Sequence, residues 1–125
     1  TMLYQYTKEA AYLAEAQKIA EYIRDSMYKS QVMNDEENGN DLPGFKGIFP
    51  RYARMYTVEL NKTELVDWML LNAKVAYSNR NSQNLIHTKW ATPTSDTNPG
   101  SAFSCSTLVS LLINTLPFSQ NYSLK

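Results

Sequence analysis

Hydrophobic positions recur every three or four residues in four stretches of the chain, and polar, turn-forming residues separate those stretches. The first covers about Lys8 to Lys29. Ala10, Leu13, Ala16, Ile19, Ala20, Ile23 and Met27 share one helical face, and Lys8, Glu15, Lys18 and Arg24 fall largely opposite. Thr7 stands where an N-cap belongs. Ahead of it, Met2-Leu3-Tyr4 reads as the last turn of an earlier helix. From Ser30 to Gly47 the periodicity stops. Asn34 to Asp41 is polar and turn-rich, and Pro43-Gly44 follows, which predicts a loop. It is long for a compact domain, and long ordered loops often carry function.

A second helix is expected from Ile48 to Asn61, with Pro50 in its first turn and Tyr52, Met55, Tyr56 and Leu60 on its apolar face. A third follows from Thr63 to about Asn79, through Leu65, Val66, Met69, Ala73, Ala76 and Tyr77. Asn61-Lys62 only links two antiparallel helices. Asn79 to Gly100 is polar again, with Trp90 inside it. The last helix is expected from about Ser101 to Thr115, apolar along Val109, Leu112, Ile113 and Leu116 and ended by Pro117. The tail to Lys125 reads as frayed or loosely docked. No stretch alternates as a strand does. The predicted fold class is all-α, built of antiparallel helical hairpins with long loops on alternate connections.

The chain has 125 residues, the size of one domain, and 43% are hydrophobic, enough for a packed core. Twelve Lys+Arg balance twelve Asp+Glu. That neutrality argues against a nucleic-acid module, whose affinity comes from basic residues. No apolar run approaches the roughly 20 residues that span a bilayer, and no polybasic cluster suits an anionic membrane surface. The start lacks the basic and apolar regions of a secretory signal. Beginning at Thr1 implies trimming or processing.

Cys105 and His87 are the sole residues of their types. They cannot supply the roughly four ligands of a structural zinc site, so neither a metal nor any other cofactor is expected from this chain alone. In the acidic loop, placing Gly39 at the sixth position of a calcium loop puts Phe45 at the twelfth, where a bidentate Glu belongs. His87 reads as a surface histidine without a nucleophile elbow, and Cys105 as a packed thiol. Two glycosylation sequons, Asn61-Lys62-Thr63 and Asn121-Tyr122-Ser123, matter only in a secretory pathway.

Aromatic residues make up 12% of the chain, which fits core packing or a site for planar-faced ligands such as sugars. The richest stretch runs from Asp41 to Tyr52. It brings a carboxylate, an ammonium, a guanidinium and two phenyl rings to one loop-to-helix junction, with glycines that allow close backbone approach. Two readings stay open. The junction presents polar and stacking groups to a sugar, or Phe45 and Phe49 plug the core while Asp41 and Arg51 make local ion pairs.

Phe45-Lys46-Gly47-Ile48-Phe49-Pro50-Arg51-Tyr52 resembles the Phe-Lys-Gly…Arg-Tyr block of family 76 of the glycoside hydrolases, the α-1,6-mannanases. Leu3-Tyr4-Gln5-Tyr6 through Ala16 is similar to a recurring hairpin of six-hairpin sugar hydrolases. The resemblance implies an (α/α)6 toroid, of which residues 1–125 would be the C-terminal portion, with the N-terminal part absent. It implies endo-acting, retaining hydrolysis of α-1,6-mannan by two carboxyl groups about 5–5.5 Å apart. The family's pair is two adjacent aspartates, and no Asp-Asp occurs in this sequence. The resemblance therefore carries over no catalytic residue. It implies that Asp41, Phe45, Lys46 and Arg51 contact substrate or shape the cleft, while Trp90 on the next long loop reads as a hydrophobic plug or, as a weaker candidate, a stacking platform. Its expected partners are mannan-type saccharides and the rest of the same protein, and its expected location is secreted, cell-surface or periplasmic. A helical-repeat interaction module and a non-catalytic carbohydrate-binding relative are the alternatives.

Overall fold

The computed structural model describes residues 1–33 and 42–119, and among them there are helices and no strand. Helix α1 spans Met2–Thr7 and α2 spans Ala10–Glu21. Between them Lys8 takes a left-handed conformation, φ 62°, and its N–H closes α1 on the Tyr4 carbonyl. The Thr7 hydroxyl accepts from the Glu9 N–H at 3.2 Å, so Thr7 serves the turn while Glu9 occupies the N-cap of α2. The expected helix end at Met2-Leu3-Tyr4 is thus a short helix reaching Thr7.

Helix α2 runs on as a widened π-helical turn over Tyr22–Met27, and Lys29 and Ser30 end it with positive φ. At that end the Arg24 guanidinium bridges Asp25 and the Glu64 carbonyl, tying α2 to the start of the third hairpin arm. Part of the expected loop is ordered as a 3-10 segment, Leu42–Gly47. Helix α3, Phe49–Arg54, begins next to Pro50 and continues as a π-helical turn, Met55–Glu59. Asn61, at φ 53°, reverses the chain into a 3-10 turn, Thr63–Leu65, and α4, Val66–Ser78.

Helix α5 covers Ala102–Ser119 and packs against α3, α4 and the 3-10 segment. Two expectations fail here. Pro117 lies inside the helix rather than ending it. The carbonyl it leaves without a donor is that of Ile113, whose side chain is exposed, so water can serve it. The buried face is also not the most apolar one. Ser104, Thr107, Leu108, Leu111 and Thr115 face inward, while Val109, Ile113 and Leu116 are exposed. Burying hydroxyls costs little here, because Thr107 and Thr115 donate back to the Ser104 and Leu111 carbonyls at 2.7 and 3.0 Å.

Among the described residues the core has two clusters. Trp68, Ala73, Ala76, Ile86, Trp90, Leu108 and Leu111 form one, beneath the long connection between α4 and α5. Ala20, Ala53, Tyr56, Leu65 and Met69 form the other, and Phe49 packs against both.

Candidate functional site

The tight Asn61-Lys62 turn lies between α3 and α4, and the long connections precede α3 and α5. The described 3-10 segment before α3 and the loop before α5 meet, and one side chain joins them. Lys46 is only 4% exposed, and its Nζ donates to the buried Thr88 carbonyl, 42 residues away. The same ammonium lies 4.3 Å from the centroid of the Trp90 ring. A buried cation needs such partners, because desolvation otherwise costs several kcal/mol (~). Trp90 is wholly buried, its Nε1 donates to Thr107 Oγ1 at 3.2 Å, and the Asn79 side chain donates to its carbonyl at 2.9 Å.

The glycines beside Lys46 follow from this packing. A Cβ on Gly47 would lie 3.1 Å from the Thr107 backbone, and Ser110 Oγ donates to the Gly47 carbonyl at 2.5 Å. A Cβ on Gly44 would run into the Phe103 ring. The Phe-Lys-Gly block thus packs against the first turns of α5 by backbone contact.

The loop from Asn79 to Gly100 is polar because it satisfies itself. Asn81 accepts from the Gln83 and Leu85 N–H groups and donates to the Ser95 carbonyl. Asp96 accepts from the N–H and hydroxyl of Ser82, which hold its carboxyl below the usual carboxylate range. His87 is half-buried, its ring beside Gly100, and Cys105 is half-buried in the second turn of α5.

Of the residues picked from the sequence, the structure brings Lys46 and Trp90 together in the interior. Phe45 is half-exposed and lines a cleft beside them, and Arg51 is exposed on α3. Asp41 and the acidic loop before it lie outside the described residues. Nothing in the spacing of Thr88 or Thr107 relates them to residue 46 or 90. Nor does the sequence single out Phe103, in the first turn of α5, as the neighbour of Gly44. Among the described residues no group of three metal-ligating side chains occurs.

A second polar cluster lies at the other end. The Tyr56 hydroxyl donates to Glu64 Oε1. Burial and then that carboxylate push the Tyr56 pKa up. Burial would raise the Glu64 carboxyl, but the Tyr56 hydrogen bond, its own backbone N–H, Lys62 and Arg24 together hold it below its ordinary value.

These features define an all-α domain of stacked antiparallel helices whose long connections converge on a braced, aromatic-rich end. The family model described as Glycosyl hydrolase family 76 matches residues 1–122, and the chain belongs to that family, whose fold is an (α/α)6 barrel. No curated protein and no solved structure matches the chain.

Proposed function

We propose that this chain is the C-terminal portion of an α-1,6-mannan hydrolase that acts internally and with retention outside the cytoplasm. The match over residues 1–122 carries this reading. Its catalytic carboxylates lie outside this chain, which has no adjacent aspartates. This portion supplies one wall of the cleft. Phe45 and Arg51, half-exposed and exposed, contact the glycan, while Lys46 and Trp90 hold the wall in shape.

The apolar surface left open supports further helices packing on both sides. Ile19 of α2 and Tyr22 of the π-helical turn that follows it are each 59% exposed, and Val109, Ile113 and Leu116 are 55–59% exposed along α5. A groove of about 480 Å³ between α2 and α3, lined by Leu3, Ile19, Phe49, Tyr52 and Tyr56, continues the first of these surfaces.

The test is hydrolysis of linear α-1,6-mannan by the protein expressed from its whole gene, with proton NMR of the first products. Release of α-anomeric oligosaccharides is expected. Inversion, or no cleavage of this polymer, overturns the reading.

A further inference from the structure

Beside Lys46 a cleft of about 230 Å³ opens between the end of α2 and the start of α3. Tyr28, Phe45 and Phe49 form its aromatic walls, and Ile23, Met27, Met33 and Lys46 complete it. We propose that this cleft binds a single pyranose unit of the glycan, stacked between Tyr28 and Phe45; the inference rests on the carbohydrate reading above and adds Tyr28 and a defined subsite to it.

The walls are set before any ligand arrives. Trp68 is 5% exposed, and its Nε1 donates to the Gln31 carbonyl at 2.7 Å. The Tyr28 ring leans on that indole with centroids 6.0 Å apart, and the Phe49 ring meets it edge-on at 5.8 Å. Pre-set aromatic side chains lose little freedom on binding. Phe45 is half-exposed, which leaves part of its surface for a ligand to cover.

The size fits one sugar ring. At about 230 Å³ the cleft lies below the roughly 300–1,000 Å³ usual for drug-sized ligands, which suits one sugar ring. The chemistry fits as well. A pyranose presents a C–H face to an aromatic ring and keeps its hydroxyls at the rim, in water. The thioethers of Met27 and Met33 adjust to an irregular ring edge. Lys46 contributes its stem here, since its ammonium is turned to Thr88 and Trp90.

The experiment is calorimetric titration of the intact protein with α-1,6-linked mannotetraose, with maltotetraose and cellotetraose as comparison ligands. Tyr28→Leu is expected to weaken mannotetraose binding about tenfold or more, and Tyr28→Phe, which keeps the ring, to lose less. Met27→Trp crowds the cleft from a half-exposed rim position and is expected to weaken binding similarly, so it decides the matter if Tyr28→Leu does not fold. Mannotetraose binding unaltered by Tyr28→Leu or Met27→Trp in a folded protein overturns the subsite and leaves the mannan reading standing. Binding of a comparison ligand alone, with the same dependence on Tyr28, keeps the subsite and removes mannan. Binding of none of the three saccharides overturns both.

Discussion

Lys46 and Ile19 both sit against type: a cation 4% exposed and an isoleucine 59% exposed. The region around Lys46 is finished. Its ammonium has a carbonyl and a ring, Trp90 has Thr107 and Asn79, and the glycines leave no gap against α5. The region around Ile19 is open, with an apolar groove bounded by α2 and α3 and few partners for the face that periodicity marks as inward. The contrast separates two kinds of sequence signal. A hydrophobic stripe marks a surface that wants burial, wherever the covering element comes from. A glycine or lysine set in a loop marks a contact already made.

The sharpest way to break the contrast is Trp90→Ala. It empties a fully buried site and removes the ring from Lys46, so chemical denaturation should show a loss of about 3–5 kcal/mol. A loss below 1 kcal/mol (~) would mean that the loop end is not the rigid half. Gly47→Ala comes next, at about 1–3 kcal/mol, because its new methyl meets the Thr107 backbone, which cannot swing aside. Gly44→Ala should cost less, since the half-exposed Phe103 ring can rotate into solvent.

Asn72→Ala is expected to cost about 1–3 kcal/mol in the same assay, because the Met33 N–H loses its buried acceptor. A pH series sharpens the comparison at the open end. The Glu64 carboxyl sits below its ordinary value of 4.5 in the folded chain, so its contribution to stability is complete above that pH. It is lost as pH falls below 4.5 through the folded pKa, and Glu64→Gln should flatten that part of the thermal-midpoint profile. The smallest effect belongs to Ile113→Lys in the 125-residue chain, within about 0.5 kcal/mol, because Ile113 is 58% exposed. In the intact protein the same change should destabilise strongly if α5 is covered there.

All four main helices were legible from the three-and-four spacing of residues such as Leu65, Met69 and Ala73. Their inward faces were less so. In α5, Val109 and Ile113 advertise burial, yet Thr107 and Thr115 take the interior, since a hydroxyl that donates to its own helix behaves almost as an apolar group. Pro117 misled for a related reason: its cost depends on whether the freed carbonyl can reach water. The Phe45-Lys46-Gly47 block was visible as a motif, but its use was not. Nothing short of the fold could reveal that Lys46 turns inward to Thr88, because the pairing spans 42 residues without periodicity. Tyr28 lies outside the apolar stripe of the helix it follows, so the spacing does not single it out, and its ring is positioned against Trp68 by the fold.

The bond from Lys46 to the Thr88 carbonyl also has a kinetic meaning. It crosses between two connections that are otherwise separate in sequence, so neither can open far without releasing the other. Amide protons of residues 42–47 and of the loop around Thr88 should therefore exchange with deuterium as one cooperative unit, with a shared opening free energy.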